Sequence, residues 1–249
     1  MSVALVAWVA IGAALAGFVQ GLSGFAFSMV SLSVWAWTLD PLLAASLAIF
    51  GGWTGQVIAA FTQRRLPDKA LLWPFLAGGL CGVPLGLWLL PRLDVVVFKA
   101  ALGLLLVVWC PTMLLSARLP RIGGGRLGDA LAGLVGGVMG GIGGLSGTVP
   151  TLWCTLRGFE RDAQRAVIQN FNLAMLSVAL ALHVLGGHLT AAMLPLLAIV
   201  AAAVLVPVLL GARLYQGLSE AAFRRLVLGL LTASGVAILA SALPELLRR

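Results

Sequence analysis

Long apolar runs fill most of the chain, and short polar or glycine-rich stretches separate them. A bilayer core about 30 Å thick needs about 20 apolar residues for a helix that spans it. The runs predict helical segments at residues 3–21, 25–37, 41–61, 71–90, 95–115, 128–142, 146–156, 164–185, 191–213 and 221–242. Seven of these ten segments are long enough to span, whereas the second, sixth and seventh are short and lie beside glycine-rich breaks. The pattern therefore predicts an all-α polytopic membrane protein.

The composition supports this interpretation. Hydrophobic residues make up 61% of the 249 positions and charged residues only 10%, whereas soluble domains carry about 25% charged residues. The mean hydropathy of +1.08 excludes an ordinary globular protein, a disordered chain and a disulfide scaffold. The three cysteines, Cys81, Cys110 and Cys154, lie in apolar stretches without a CxxC pair, which is typical of packing residues and not of a zinc site.

The basic residues predict how the chain is oriented. When the segments alternate in direction, twelve of the sixteen basic residues fall on one side of the membrane. These twelve are Arg64, Arg65, Lys69, Arg118, Arg121, Arg126, Arg157, Arg161, Arg165, Arg213, Arg224 and Arg225. The positive-inside rule makes that side cytoplasmic, so both termini are predicted outside, and the first segment is expected to stay in place as a membrane helix. Because the charges lie singly or in small groups between apolar runs, the net charge of +8 does not indicate a nucleic-acid partner.

The two halves of the sequence resemble each other. Ala16–Val19 aligns with Ala132–Val135, and Gly-Leu-Ser-Gly occurs at Gly21–Gly24 and again at Gly144–Gly147. Each half holds five segments, an odd number, so the second half enters the membrane from the opposite side. Two inverted five-segment repeats are typical of secondary transporters. The prediction is one membrane domain made of a first repeat, a cytoplasmic linker and a second repeat, at residues 1–115, 116–127 and 128–249.

Two breaks in the apolar pattern carry the candidate site. Non-helical backbone at membrane depth persists only where protein or a water-filled cavity satisfies its polar groups. The short helices predicted to begin near Phe25 and Thr148 present unpaired N–H donors and a partial positive charge, and inverted symmetry brings both breaks toward the midplane. The predicted substrate-binding residues are the donors of the two breaks and neighbouring amides: Gln20, Gly21, Ser23, Gly24, Gly144, Ser146, Gly147, Thr148, Asn170 and Asn172.

The acidic residues indicate the charge of the substrate. All eight of them fall at predicted segment ends or in loops. Without a carboxylate at the centre of any span, the sequence disfavours a cation site and an Asp or Glu proton relay, and it predicts a small anion as substrate. His183 is the candidate for proton coupling because it is the intramembrane group that ordinarily titrates near neutral pH. No metal or other cofactor is expected.

Two other functions use the same residues. GxxxG spacings such as Gly17/Gly21 and Gly133/Gly137 allow close helix packing in a protein that transports nothing. A serine in a Gly-x-Ser-Gly motif, Ser146, together with His183 on another segment resembles the Ser–His pair of the rhomboid intramembrane proteases. A protease leaves the second Gly-Leu-Ser-Gly copy unexplained, and packing does not require a polar break. The preferred interpretation is therefore a transporter and not an enzyme.

Three stretches, Gly17–Phe25, Gly140–Gly144 and Gly211–Phe223, resemble the sulfite exporter family TauE/SafE. Ala26 and Ser28 stand where that family often continues with glycines. The resemblance covers nearly the whole chain, and it implies a bacterial inner-membrane protein with two homologous halves that moves sulfite, sulfonates or related organosulfur anions. Together with the two predicted breaks, it favours a secondary transporter that works by alternating access. The expected partners are a small anionic substrate and the lipid bilayer, and the sequence leaves a homodimer open.

Overall fold

A computed structural model describes residues 2–63, 66–116, 120–214 and 220–248. Within these ranges the regular secondary structure is helical, with short 3-10 turns at Leu90–Arg92 and Ala191–Met193. The α-helices are α1 (Val3–Ser23), α2 (Phe27–Trp35), α3 (Pro41–Gln63), α4 (Lys69–Leu89), α5 (Val95–Leu115), α6 (Gly125–Gly143), α7 (Thr148–Leu156), α8 (Arg161–Leu185), α9 (Leu194–Leu214) and α10 (Glu220–Leu247). All ten predicted segments are thereby confirmed as helices.

Seven helices in the described ranges are long and apolar enough to cross a membrane: α1, α3, α4, α5, α8, α9 and α10. They correspond to the seven segments predicted to span. The short helices α2 and α7 have nine residues each. The chain is therefore a multi-pass helical membrane protein in which two short helices follow breaks in the longer ones.

Several acidic side chains at the helix ends cap the first turns of those helices. An Oδ1 atom of Asp68 accepts from the Ala70 N–H at 2.8 Å, and that of Asp94 accepts from the Val96 N–H at 2.8 Å. Asp40 accepts from the Leu43 N–H at 2.9 Å before α3. A carboxylate at an N-cap satisfies an otherwise unpaired donor and interacts favourably with the helix dipole. These acids are explained by helix initiation and need no role in transport.

The long helices pack in pairs that join the two halves of the chain. Helix α1 packs against α9, α4 against α6, α5 against α10, and α3 against α8. Glycines make the α4–α6 contact close: a Cβ atom added at Gly82 would lie 2.7 Å from the Val138 nitrogen, and one at Gly137 would lie 2.8 Å from the Gly79 Cα. Small residues of this kind let membrane helices approach backbone to backbone.

The tryptophans separate into core and surface residues. We expect tryptophans near segment ends, including Trp35, to form an interfacial belt. Trp73 and Trp88 are exposed, as a belt residue should be, but Trp35 is fully buried and packs edge-to-face on Phe27 with ring centroids 6.3 Å apart. The belt assignment of Trp35 is wrong because its side chain faces the bundle, against Phe27 and α1, whereas Trp37 two residues later is 45% exposed.

Some of the sequence-based assignments concern residues that the structure does not describe. Arg64, Arg65, Arg118 and Arg249, which contribute to the predicted orientation, lie outside the described residues, as does the stretch 215–219 within the second repeat. The middle of the predicted linker, residues 117–119, lies outside them as well.

Candidate functional site

Both breaks have the same backbone construction. Helix α1 ends at Ser23, and Gly24 follows in the left-handed conformation with φ of 86°. Helix α6 ends at Gly143, and Gly144 follows with φ of 72°. In each case the glycine N–H bonds back to the carbonyl four residues earlier, at 2.7 Å and 2.8 Å respectively. Glycine is the residue that adopts a positive φ without strain, so each glycine terminates its helix and redirects the chain into a nine-residue helix.

The two Gly-Leu-Ser-Gly copies occupy different positions in these breaks. The first copy, Gly21–Gly24, covers the last turn of α1 and ends on the left-handed glycine. The second copy, Gly144–Gly147, starts on the left-handed glycine and ends on the residue before α7. The structural equivalents are therefore Gly24 and Gly144, and the second motif is displaced by three residues relative to the first.

The two breaks lie against each other. The Ser28 hydroxyl donates to the Gly144 carbonyl at 2.9 Å, and a Cβ atom at Gly147 would lie 2.9 Å from the Phe25 Cβ. The Trp109 Nε1–H donates to the Thr148 carbonyl at 2.9 Å, which connects α5 to the second break. Non-helical backbone from both halves is thus satisfied by protein in the interior, as buried polar backbone requires.

A cavity of about 390 Å³ lies beside the first break. Four of the predicted substrate-binding residues line it: Gln20, Gly21, Ser23 and Gly24. Its other walls come from α3, α5, α7, α8, α9 and α10. The lining runs from Met29, which is 1% exposed, to Thr62 and Arg161, which are exposed at the end of the bundle. The cavity therefore connects the first break to one surface of the molecule.

Two glutamine side chains fasten the first break to α3. The Gln20 Nε2 group donates to the Gly52 carbonyl at 3.0 Å, and the Gln56 Nε2 group donates to the Gly24 carbonyl at 2.7 Å. The amide oxygens of both glutamines and the hydroxyl of Thr151 have no hydrogen-bond partner among the described residues, although all three side chains are buried. All three groups line the cavity, so these polar atoms are available to water or to a ligand there. Sequence patterns alone do not single out Gln56 and Thr151 as cavity residues.

Ser23 lines the cavity and supplies the hydroxyl group of the first break. Its Oγ accepts from the Ala26 N–H at 3.2 Å and from the Phe25 N–H at 3.4 Å. Two of the backbone donors that the sequence assigns to a substrate are therefore occupied by Ser23. The hydroxyl hydrogen of Ser23 is left to donate into the cavity, because a serine hydroxyl has one donor besides its lone pairs.

Positive charge dominates the cavity. Among the described residues that line it, the charged ones are Arg161 and Arg165, both in the first two turns of α8. An Nη2 atom of Arg165 donates to the Leu22 carbonyl at 2.7 Å, at the C-terminal end of α1. Gln164, between the two arginines, donates to the Thr155 hydroxyl at 3.0 Å. A guanidinium group carries a fork of donors that can bind an oxyanion through two hydrogen bonds.

The second break is closed in this conformation. The Ser146 hydroxyl donates to the Asn172 Oδ1 at 2.9 Å, and the Thr148 hydroxyl donates to the Leu145 carbonyl at 2.8 Å. Both hydroxyls are occupied by protein acceptors, and both residues are 1% exposed. Asn170 donates to the Ala166 carbonyl of its own helix at 2.8 Å. Six of the ten predicted residues therefore lie away from the cavity: Gly144, Ser146, Gly147, Thr148, Asn170 and Asn172.

His183 lies near the far end of α8 and takes no part in either break. Its Nδ1 lies 3.1 Å from the Ala179 carbonyl, and its ring contacts that of His188 with centroids 5.6 Å apart. Asn172, which holds Ser146, precedes His183 by eleven residues on the same helix, or about 16 Å at the helical rise. The Ser146–His183 pair of a protease is therefore not formed. Among the described residues no three His, Cys, Asp or Glu side chains are grouped as metal ligands.

Comparison with known proteins identifies the family. No curated protein and no solved structure matches this chain. The family model of the sulfite exporter TauE/SafE matches residues 9–238, which includes all seven spanning helices and both breaks in whole or in large part. This protein belongs to the sulfite exporter TauE/SafE family.

Proposed function

We propose that this protein is a secondary transporter that moves a small anion, such as sulfite, a sulfonate or a related organosulfur anion, across the bacterial inner membrane. The observation that carries the proposal is the cavity beside the first break, whose charged lining residues among those described are arginines. The family membership supports transport, and the arginines support an anionic substrate. In this conformation the Ser23 hydroxyl is the proposed donor to the substrate, and Gln20, Gly21 and Gly24 line the cavity beside it.

The proposed mechanism is alternating access between two inverted repeats. The packing pairs support this mechanism. In an inverted repeat α1 would be equivalent to α6 and α4 to α9, so the α1–α9 contact would be equivalent to the α6–α4 contact. The contacts α3–α8 and α5–α10 each map onto themselves under the same exchange. In the alternative conformation Gly144, Ser146, Gly147 and Thr148 would face the substrate, with Asn170 and Asn172 beside them. His183 is the proposed site of any proton coupling.

The proposed orientation makes this conformation inward-facing. The exposed end of the cavity carries Arg161, next to Arg165 and Arg157 on the side to which the positive-inside rule assigns the cytoplasm. Both termini then lie in the periplasm. A membrane potential that is negative inside favours export of an anion by about 2.3 kcal/mol per charge per 100 mV.

Flux through purified protein tests the proposal. Proteoliposomes loaded with sulfite should exchange it for radiolabelled sulfite or methanesulfonate, and Ser23→Trp should abolish the exchange because the indole fills the cavity at the break. The matched control is Ser241→Trp on α10, since Ser241 does not line the cavity. The proposal is contradicted if Ser23→Trp and the wild-type protein exchange anions at equal rates, or if the wild-type protein moves neither anion.

A further inference from the structure

Threonines within the helices usually bond their own backbone. The hydroxyls of five of them donate to the carbonyl four residues earlier at 2.6–2.9 Å: Thr54, Thr62, Thr112, Thr155 and Thr232. This bond to the preceding turn is a common way for a helix to satisfy a threonine hydroxyl that is away from water. Thr151 on α7 departs from the pattern, because its side chain is 4% exposed and its hydroxyl has no hydrogen-bond partner among the described residues.

Thr151 lines the cavity beside the first break, one helical turn before Thr155. The Thr155 hydroxyl donates to the Thr151 carbonyl at 2.8 Å and accepts from the Gln164 Nε2 group at 3.0 Å, so both of its roles are used. The Thr148 hydroxyl donates to the Leu145 carbonyl at 2.8 Å. Of the three threonine hydroxyls on α7, that of Thr151 is therefore the one left available to a ligand.

Two amide oxygens at the buried end of the cavity are unsuited to holding an anion. Gln20 and Gln56 are 4% and 1% exposed, and their Nε2 groups donate to backbone carbonyls, so their Oε1 atoms are turned away from those carbonyls. An amide oxygen accepts hydrogen bonds and does not donate them. A hydroxyl can donate, and a hydrogen bond to a charged oxygen is about twice as strong as one between neutral groups. The Thr151 hydroxyl therefore gives this end of the cavity a donor that suits an oxyanion.

The other short helix carries a hydroxyl at the corresponding position. Thr151 lies seven residues after the left-handed Gly144, and Ser31 on α2 lies seven residues after the left-handed Gly24. Ser31 is fully buried and does not line the cavity, and its hydroxyl donates to the Ser28 carbonyl at 3.4 Å. The short helix of each half thus carries one such hydroxyl, and in this conformation only that of α7 belongs to the cavity wall.

We propose that Thr151 is a further substrate-binding residue, whose hydroxyl donates to an oxygen of the anion in the cavity. Ser23 holds the same anion from the first half of the chain and Thr151 holds it from the second, so the ligand contacts both halves at once. This inference rests on the proposed function and adds to its site a residue of α7. In the alternative conformation the equivalent contact is made by Ser31.

Thr151→Val tests the hydroxyl, because valine keeps the branched shape of threonine and removes the donor. Its affinity for sulfite and for methanesulfonate should fall about tenfold, from the usual strength of a hydrogen bond to a charged group. Thr151→Ser keeps the donor and should bind both anions nearly as tightly as the wild-type protein. The measurement is the shift in melting temperature of detergent-purified protein over a concentration series of each anion, with sulfite counterflow in proteoliposomes alongside.

The melting temperature without ligand separates a binding role from a structural one. The Thr151 hydroxyl has no protein partner to lose, so Thr151→Val should melt at or above the temperature of the wild-type protein. A hydroxyl that stabilises the fold would give a lower value. Thr54→Val is the matched control, because the Thr54 hydroxyl bonds to the Phe50 carbonyl and Thr54 does not line the cavity. It should leave the affinity for both anions unchanged.

The outcomes separate this inference from the proposed function. If the wild-type protein exchanges anions and Thr151→Val binds them as tightly, or if Thr54→Val loses as much affinity, the inference is overturned and transport stands. If Thr151→Val binds more weakly but the wild-type protein moves no anion, the binding role is supported and the transporter is contradicted. If the wild-type protein neither binds nor moves either anion, both are wrong.

A second variant covers the case in which Thr151→Val does not fold. Thr151→Ala removes the same donor without placing a new methyl group in the wall of the cavity. It should show the same loss of affinity for sulfite, and an affinity equal to that of the wild-type protein would overturn the inference.

Discussion

At the scale of single residues, Arg165 both contacts the first break and lines the cavity. Its guanidinium reaches across from α8 to the Leu22 carbonyl at 2.7 Å and also forms part of the cavity wall. The C-terminal carbonyls of α1 carry a partial negative charge that would repel an anion, and a guanidinium placed on them reverses the local field. The same contact fastens the break to α8, so under the proposed function the binding of an anion would be coupled to the position of the break.

Arg165→Gln should therefore reduce anion exchange at least tenfold, because the positive charge is lost while a hydrogen-bond donor remains. Arg165→Lys should be intermediate, since lysine keeps the charge but not the fork of donors. The measurement is the initial rate of sulfite counterflow in proteoliposomes. Arg92→Gln is the control: Arg92 lies over the Trp88 ring at 3.7 Å, outside the cavity. A rate for Arg165→Gln equal to that of Arg92→Gln would contradict a role in substrate binding.

Gln56 stabilises the first break through the Gly24 carbonyl. Replacing Gln56, which is 1% exposed, with leucine leaves the half-buried Gly24 carbonyl without its 2.7 Å partner, which should cost about 0.5–1.5 kcal/mol of unfolding free energy. A lower melting temperature and slower exchange are expected together. Thr54→Val, on the same helix, is the matched control, because the Thr54 hydroxyl bonds only to the Phe50 carbonyl of its own helix. Equal melting temperatures for the two variants would show that the Gln56 contact contributes little.

Residue roles were only partly predictable from the sequence. Ser23 and the glycines of the first break stand out because polar residues and glycines interrupt an apolar run. Gln56 and Thr151 do not, since an amide or hydroxyl within a span bonds a neighbouring helix as readily as it lines a cavity. Trp35 shows the same limit, because closeness to a segment end does not tell whether a side chain faces lipid or the bundle: Trp35 is buried and Trp37 is exposed.

At the level of helices, glycine decides which pairs pack closely. Gly78, Gly82 and Gly86 recur every four residues on α4 and face the backbone of α6. On α6, Gly133, Gly137 and Gly141 face the backbone of α4. Without a strong hydrophobic force between helices in lipid, such backbone contact is a main source of association. The alternative interpretation of the glycines as packing residues is therefore correct for α4 and α6, alongside the break at the end of α6.

Gly82→Val should strongly destabilise the protein, because the new Cβ would meet the Leu134 carbonyl and lie 2.7 Å from the Val138 nitrogen. Neither atom moves without separating the helices, and overpacking typically costs about 1–3 kcal/mol or more. Gly229→Val on α10 is the control, since a Cβ there meets nothing within 4 Å. Melting temperatures in detergent would check this, and similar values for both variants would contradict close α4–α6 packing as a source of stability.

The helices were predictable because length and apolarity are local properties, whereas their partners were not. A span of apolar residues, such as α5 at Val95–Leu115, has matching limits in sequence and structure. Nothing in the hydropathy of α5 indicates that it packs against α10, because lipid-facing and helix-facing surfaces are equally apolar. The glycine spacings did carry information about packing, on α4 and α6 and also on α1, where Gly17 and Gly21 lie against the α9 backbone.

At the scale of the whole molecule, the two halves hold their breaks with different polar contacts, although inverted repeats predict equivalent ones. With the left-handed glycines Gly24 and Gly144 set as equivalents, Gln20 corresponds to Gly140, since each carbonyl accepts from the N–H of its glycine. In the first half the amide reaches from the broken helix to α3, and in the second it reaches from α8 to the break at Ser146. The polar contacts that hold the two breaks are therefore different.

Alternating access then predicts opposite accessibility for Ser23 and Ser146. In a variant with Cys81, Cys110 and Cys154 replaced, Ser23→Cys should react with a membrane-impermeant maleimide in inside-out vesicles and be protected by substrate. Ser146→Cys is shut off here by its contact with Asn172, so it should react more slowly and from the opposite face, in intact spheroplasts.

Ser33→Cys serves as the control for this labelling, because Ser33 is 7% exposed and does not line the cavity. It should stay unmodified from both faces. The two breaks lie in contact, so Ser23 and Ser146 lie at similar depths in the membrane. If the two cysteines react from different faces, the difference must therefore come from which half of the protein has opened. Modification of Ser23→Cys and Ser146→Cys from the same face, with equal protection by substrate, would instead indicate one permanently open cavity and would rule out alternation between the two breaks.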